Sequence, residues 1–188
     1  MKILKIEGNH PLTGSVRIGG AKNSAVALIP AAILSSEPIT LTNVPNISDI
    51  DDLVNILDKL NVKVKRASES LIIDASNFNN VLVPKELSGK LRASYYFMSS
   101  ILARDKHVSM YFPGGCKIGA RPIDQTLKVF RALGAKVEET SDCLFNIEAK
   151  ELKGADIRLD MPSVGATVNA IIVASMANGE PNIFNAAK

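Results

Sequence analysis

A chain of 188 residues with 46% apolar and 22% charged side chains can bury the core of one or two domains, which excludes a disordered tail. The net charge of +3 is spread along the chain, with Lys63, Lys65 and Arg66 the one tight basic group, so composition does not point to nucleic acid. No apolar run approaches the ~20 residues that cross a bilayer, an alternating segment rather than a signal-peptide pattern follows Met1, and two cysteines 27 positions apart suit neither a disulfide framework nor a metal site, so a soluble cytoplasmic protein is expected.

In chain order the sequence reads as a repeat. Residues 16–18 alternate as a short strand, Gly19-Gly20 make a turn, and 22–34 form an apolar helix that Pro30 should kink or locally distort. A strand at 39–42, an amphipathic helix at 50–60, a strand at 62–65 and its partner at 71–74 complete the unit. The order then recurs: an apolar helix at 91–102, a strand at 108–112, an amphipathic helix at 123–133 and strands at 135–138 and 144–148. A third unit opens with a strand at 156–160, the turn Met161-Pro162-Ser163, a helix at 164–178 and a strand at 182–185; it lacks the second helix and closing strands. The repeats run over about 22–85, 86–153 and 154–188.

Periodicity separates two kinds of helix. Ile50, Leu53, Val54, Leu57 and Leu60 trace one buried stripe, leaving Asp51, Asp52, Asp58 and Lys59 for solvent. The helices at 25–34 and 168–177 are apolar on every side, which predicts burial all round at the centre of the domain. Without a covering second helix in the third unit, Val168, Ile171, Ile172 and Met176 should form an exposed apolar patch. Superposed in register, Lys22-Asn23-Ser24, Lys90-Leu91-Arg92 and Gly165-Ala166-Thr167 fall at equivalent helix starts. Three N-termini pointing one way, two with a cation, would favour phosphates or carboxylates.

Register also isolates a loop. Ile50 and Ile123 are 73 positions apart, whereas Leu34 and Leu102 are 68 apart, so the second repeat holds five extra residues between Pro113 and Ile123. That insertion contains Gly114-Gly115-Cys116-Lys117-Ile118-Gly119-Ala120-Arg121. Lys117 and Arg121 would favour the thiolate of Cys116 and hold an anion beside it. An excursion in one copy of a repeated scaffold is where function tends to be grafted.

Gly19-Gly20-Ala21-Lys22-Asn23-Ser24, Leu91-Arg92-Ala93-Ser94, Pro113-Gly114-Gly115-Cys116 with Ile118 through Pro122 and Asp124, and Ser163-Val164-Gly165-Ala166-Thr167 together resemble the amino-terminal half of the bacterial UDP-N-acetylglucosamine enolpyruvyl transferases. The resemblance runs over nearly the whole chain. It implies an inside-out α/β barrel of βαβαββ-type units, with the first 21 residues packing on a second domain that lies outside this chain and 22–188 forming an incomplete three-repeat domain. It implies transfer of the enolpyruvyl group of phosphoenolpyruvate to the 3′-hydroxyl of UDP-N-acetylglucosamine, with release of phosphate and without cofactor or metal. Lys22, Asn23 and Arg121 would then hold phosphoenolpyruvate, with Cys116 as the general acid at its methylene carbon. Arg92, Arg121, Pro122, Ile123, Asp124, Gln125, Ser163, Val164 and Gly165 would line the sugar nucleotide. The base and a further arginine would come from the absent domain. A general acid must keep its proton, so a bound phosphate that neutralises Lys117 and Arg121 would restore the thiol form of Cys116. The related 3-phosphoshikimate carboxyvinyl transferases share the repeats but not the cysteine loop. Where many relatives carry a lysine before the Ser-Val-Gly turn, this chain has Met161-Pro162.

The resemblance also implies that fosfomycin alkylates Cys116, while Cys143, read as part of an alternating strand, should be a structural thiol. Two other classes fit parts of the pattern: an RNA-terminal phosphate cyclase-like protein, built of similar units, and a non-catalytic sugar-nucleotide-binding module. Sparse clustered arginine and 5% aromatic content weigh against the first.

Overall fold

The computed structural model describes residues 3–114 and 122–188, so Cys116, Lys117 and Arg121 lie outside the described residues. The first unit is α1 (Lys22–Ala31), β1 (Ile39–Leu41), α2 (Ser48–Lys59), β2 (Lys63–Ala67) and β3 (Ser70–Asp74). The second is α3 (Lys85–Ser88), a 3₁₀ turn at Arg92–Tyr95, α4 (Tyr96–Asp105), β4 (His107–Tyr111), α5 (Asp124–Ala132), β5 (Lys136–Glu139) and β6 (Leu144–Glu148). The third is β7 (Asp156–Arg158), α6 (Val164–Ala174) and β8 (Asn182–Phe184).

The first two units share one sheet plan. In each, the last strand is central and antiparallel to both neighbours: Ile39 and Val64 face Ile73, and Val108 and Val137 face Ile147. The register follows from burial, because Leu71, Ile73, Phe145 and Ile147 alternate inward, and a one-residue slip would expose every one of them. The third unit differs: β7 and β8 pair in parallel, with Ile157 facing Ile183.

The second helix of each pair covers the core as its spacing dictates. On α2, Ile50, Leu53, Ile56 and Leu57 are buried, and on α5, Thr126, Leu127, Val129 and Phe130 are. Both have an acidic first turn and a basic last turn, complementing the helix dipole. Both are followed by a residue in the left-handed region, Asn61 at φ 56 and Gly134 at φ 94, which turns the chain into the next strand. Pro30 is accommodated where α1 gives way to a 3₁₀ turn at Ala32–Leu34.

Burial of the inner helices departs from the sequence expectation. Of the three, α4 alone is buried all round, from Tyr96 to Ala103, because it packs against both α1 and α6. The other two have one outer face each: Leu28 on α1 is 51% exposed and Ile171 on α6 is 58% exposed. Of the residues expected in the patch on the third unit, Ile171 and Met176 are exposed, while Ile172 is buried and Val168 packs on the core; Val164, at the start of α6, is exposed as well. The strand expected at 16–18 does not form: residues 3–21 contain no helix or strand, and Val16 and Ile18 are exposed. Three alternating residues carry no fold of their own without a paired neighbour, and β1 pairs with β3 alone among the described strands.

Cys143 is corrected as well. It is exposed, with φ 63, in the turn before β6, rather than in the strand. Its carbonyl accepts from Phe112 N–H at 2.8 Å and its N–H donates to Thr140 O at 3.1 Å, so its backbone has a structural task while its thiol faces solvent.

One arginine ties the first two units together. The Arg104 guanidinium, at the end of α4, donates to the carbonyls of Ile33, Ser35 (3.4 Å) and Ala75 (3.0 Å) and lies over the Phe78 ring at 4.8 Å. Arg104→Met keeps an apolar stem but removes the guanidinium from the Ile33 and Ser35 carbonyls and from that of Ala75, which retains the Phe78 N–H at 3.1 Å. It is expected to cost ~1–3 kcal/mol, read as a fall of roughly 2–12 °C in the melting midpoint for a chain of this size. An unchanged midpoint would show that water replaces the guanidinium without penalty.

Candidate functional site: an anion-facing cavity at three helix starts

The starts of α1, the 3₁₀ turn before α4, and α6 surround one open cavity of ≈ 720 Å³. Lys22 and Asn23 line it from α1, Lys90 and Arg92 from the second start, and Ser163, Val164 and Gly165 from the third. The register read from sequence thus brings three equivalent segments to one place. Pro122, the first described residue after the cysteine loop, also lines it. Ile123 is buried in the core, and neither it nor Asp124 nor Gln125 is among the lining residues.

Backbone polarity reinforces the cations. The N-terminus of α1 has no side-chain cap and no acidic residue in its first turn, so its leading N–H groups and dipole face outward uncompensated by the helix itself. On α6, Ser163 caps the helix by accepting from Ala166 N–H at 3.3 Å. Arg92 is engaged as well as cationic: it donates to Pro122 O at 3.3 Å and lies over the rings of Tyr95 at 5.4 Å and Phe112 at 5.8 Å. It thereby ties Pro122 to the cavity wall.

Gln125 works sideways rather than into the cavity. Its amide donates to Asp160 at 2.9 Å and to Asp124 at 2.8 Å, and its carbonyl accepts from Asp160 N–H at 2.8 Å. Lys128 also donates to Asp160, and these donors, Lys128 first, hold the Asp160 carboxyl below the usual carboxylate range. The bridge joins α5 to the turn before α6.

Several lining or supporting residues were not singled out from sequence. Asp49 pairs with Lys22 at 2.6 Å, and Asp52 with Lys90 at 3.5 Å, so Asp52 is not the solvent-facing residue its place on an amphipathic helix suggested. Tyr95 lines the cavity and stacks on Tyr96, centroids 4.7 Å apart. Burial pushes the pKa of the Tyr95 hydroxyl up, so it stays protonated. Behind it, fully buried Asn169 donates to Gly165 O at 2.9 Å and accepts from Ser99 at 2.5 Å. Helix spacing could have paired Asp49 with Asp52, but the contact of Tyr95 with Gly165 joins residues far apart in sequence and left no local signal.

Comparison with known proteins turns this arrangement into a family. The family model described as EPSP synthase (3-phosphoshikimate 1-carboxyvinyltransferase) matches residues 6–188. The chain belongs to the EPSP synthase family.

Within the EPSP synthase family, the UDP-N-acetylglucosamine 1-carboxyvinyltransferase 1 of Staphylococcus haemolyticus is 48% identical over 187 residues, covering 100% of this chain and 44% of that protein. The UDP-N-acetylglucosamine 1-carboxyvinyltransferase 2 of Staphylococcus aureus is 48% identical over the same length, covering 45% of that protein. The chain thus spans under half the length of these curated relatives. Among solved structures, the enolpyruvyl transferase NikO from Streptomyces tendae superposes with a TM-score of 0.78 at 23% identity, covering 92% of this chain and 40% of that one. EPSP synthase from Acinetobacter baumannii superposes with a TM-score of 0.70 at 15% identity, covering 90% and 40%. The fold is accordingly the inside-out α/β architecture of enolpyruvyl transferases, as the repeats and their resemblance implied. In this chain the third unit consists of β7, α6 and β8 alone.

Proposed function

We propose that this chain supplies the anion-binding half of a UDP-N-acetylglucosamine 1-carboxyvinyltransferase, which transfers the enolpyruvyl group of phosphoenolpyruvate to UDP-N-acetylglucosamine in the first step of peptidoglycan synthesis. The observation that carries the reading is the convergence of Lys22, Lys90, Arg92 and three helix starts on one cavity. The cavity is large enough for a sugar nucleotide, and two substrates bearing phosphate need cations that keep their charge throughout the reaction.

In this reading Lys22 and Asn23, with Arg121 from the cysteine loop, hold phosphoenolpyruvate. Cys116 gives its proton to the methylene carbon while the sugar hydroxyl loses its own proton to a base outside this chain and bonds through its oxygen to the neighbouring carbon, producing a tetrahedral adduct. The new methyl group then returns a proton to the Cys116 thiolate as phosphate departs, which restores both the double bond and the acid. Protonation is what makes that carbon electrophilic, so a positioned acid is the residue the reaction cannot omit. Arg92, the residues from Arg121 to Gln125, and Ser163 to Gly165 bind the sugar nucleotide. For Asp124 and Gln125 this requires the bridge to Asp160 to turn toward the ligand.

The segment before α1 belongs, in the same reading, with the remainder of the enzyme. It exposes Ile3, Leu4, Ile6, Leu12, Val16 and Ile18, a density of bare apolar side chains that normally finds a partner.

Calorimetric titration tests the assignment. UDP-N-acetylglucosamine should bind and compete with phosphate, while a short single-stranded RNA should bind weakly and lose affinity steeply with salt. RNA binding tighter than the sugar nucleotide would favour a phosphate-cyclase-like role instead. Because Cys143 is exposed, a general alkylating agent should label both cysteines; fosfomycin, whose phosphonate needs the cavity cations, should label Cys116 in preference.

A further inference from the structure

We infer that Asp49 and Asp52 of α2 are the resident counter-ions of the cavity lysines, positioning residues that hold Lys22 and Lys90 at its wall and compete with an entering phosphate for them. The inference rests on reading the cavity as an anion site.

Lys22 is the first residue of α1, where the helix dipole disfavours a cation, and α1 supplies no carboxylate of its own to hold it. The carboxylate comes instead from the neighbouring helix, with Asp49 Oδ2 at 2.6 Å from Lys22 Nζ. Three residues on, and therefore on the same face of α2, Asp52 Oδ1 stands 3.5 Å from Lys90 Nζ. Asp51, between them, turns away and accepts from Arg66 at 3.0 Å.

Exposure sorts the partners by depth. The lysine side chains are 52% and 51% exposed, while Asp49 and Asp52 are 21% and 27% exposed, so the ammonium groups stand forward of their carboxylates. A phosphate approaching from the cavity meets lysines that are each already partly neutralised by a carboxylate; Asp49 lines the cavity beside Lys22, whereas Asp52 lies outside the lining. A carboxylate at 2.6 Å, partly shielded from water, weakens the field felt by the ligand more than one at 3.5 Å. Asp49 should therefore limit anion affinity more than Asp52, and both should fix where the ammonium groups sit.

Titrating the chain with inorganic phosphate at constant ionic strength, followed by ³¹P NMR, tests this. Asp49→Asn should tighten phosphate binding about three- to tenfold, and Asp52→Asn by a smaller factor. Asp51→Asn removes the same charge from the same helix away from the lysines and should change affinity by less than about twofold. Asp49→Glu should return affinity toward that of the unaltered chain, and the gain from Asp49→Asn should vanish in a Lys22→Met background, outcomes that a purely structural role would not produce. Thermal melting checks folding; if Asp49→Asn does not fold, Asp52→Asn and its cycle with Lys90→Met carry the test. Phosphate binding that Asp49→Asn and Asp52→Asn leave unchanged or weaken overturns the counter-ion assignment while the cavity reading stands. Absence of phosphate binding in the unaltered chain and in both variants would end both together.

Discussion

The chain on its own is expected to bind UDP-N-acetylglucosamine yet release phosphate from phosphoenolpyruvate about 10²–10⁴ times more slowly than a full-length relative, the deficit usual when a positioned acid or base is absent. The transfer needs a carboxylate or other base within reach of the sugar hydroxyl. Among the described residues lining the cavity, Asp49 is the one carboxylate, and it is committed to Lys22 at 2.6 Å. Relatives of which this chain spans 44–45% have ample further sequence from which a base could come. A coupled phosphate-release assay with both substrates, run beside a full-length relative at equal site concentration, decides the matter. Turnover close to the relative's would place the base within this chain, and its loss in Asp49→Asn would identify it.

Most of the scaffold was legible because two independent patterns agreed on it. The stripe through Ile50, Leu53 and Leu57 gave α2, and the same stripe 73 residues later gave α5, so an error in one would have shown as a mismatch with the other. The inward alternation of Leu71 and Ile73 likewise recurs in Phe145 and Ile147. What failed lacked such support. Val16 to Ile18 alternates but has no paired neighbour, and α3 is too short for a period to register. Cys143 looked like the first residue of a strand, but the chain needs a left-handed residue there to close the turn into β6, and an isolated backbone conformation leaves no mark on hydrophobic spacing.

The site was legible by residue type and less so by partner. Superposing repeats brought Lys22, Arg92 and Gly165 together before any contact was known, because equivalent positions in repeated units share an orientation. It could not show that Lys22 carries a counter-ion, that Gln125 is bound to Asp160, or that Tyr95 stands over the start of α6. Each depends on how two units pack, and the pattern within a unit is silent about that.

The contact between Tyr95 and α6 leads to the sharpest packing test, Gly165→Ala. A Cβ at Gly165 would stand 1.6 Å from Tyr95 Oη and 2.9 Å from its Cζ, closer than any non-bonded contact allows. Neither side can give easily. Tyr95 is 6% exposed and stacked on Tyr96, while Gly165 is held in α6 by the bond its carbonyl accepts from buried Asn169. Forcing an extra methyl into such packing costs ~1–3 kcal/mol. The gain from replacing glycine by alanine in a helix, ~0.5–1 kcal/mol, offsets only part of that. The 1.6 Å approach places the packing cost in the upper part of its range, ~2–3 kcal/mol, so a net loss of ~1–2.5 kcal/mol is expected. Because Gly165 and Tyr95 both line the cavity, weaker binding of UDP-N-acetylglucosamine should accompany it. Tyr95→Phe removes the hydroxyl that the new methyl would strike, leaving the 2.9 Å approach to the ring. The double variant should accordingly be more stable than the sum of the single effects predicts by ~0.5 kcal/mol or more. Denaturant unfolding of the four chains completes the cycle. If Gly165→Ala is as stable as the unaltered chain, or if Tyr95→Phe brings no relief, the tyrosine does not stand against the start of α6, and its place in the cavity wall falls with it.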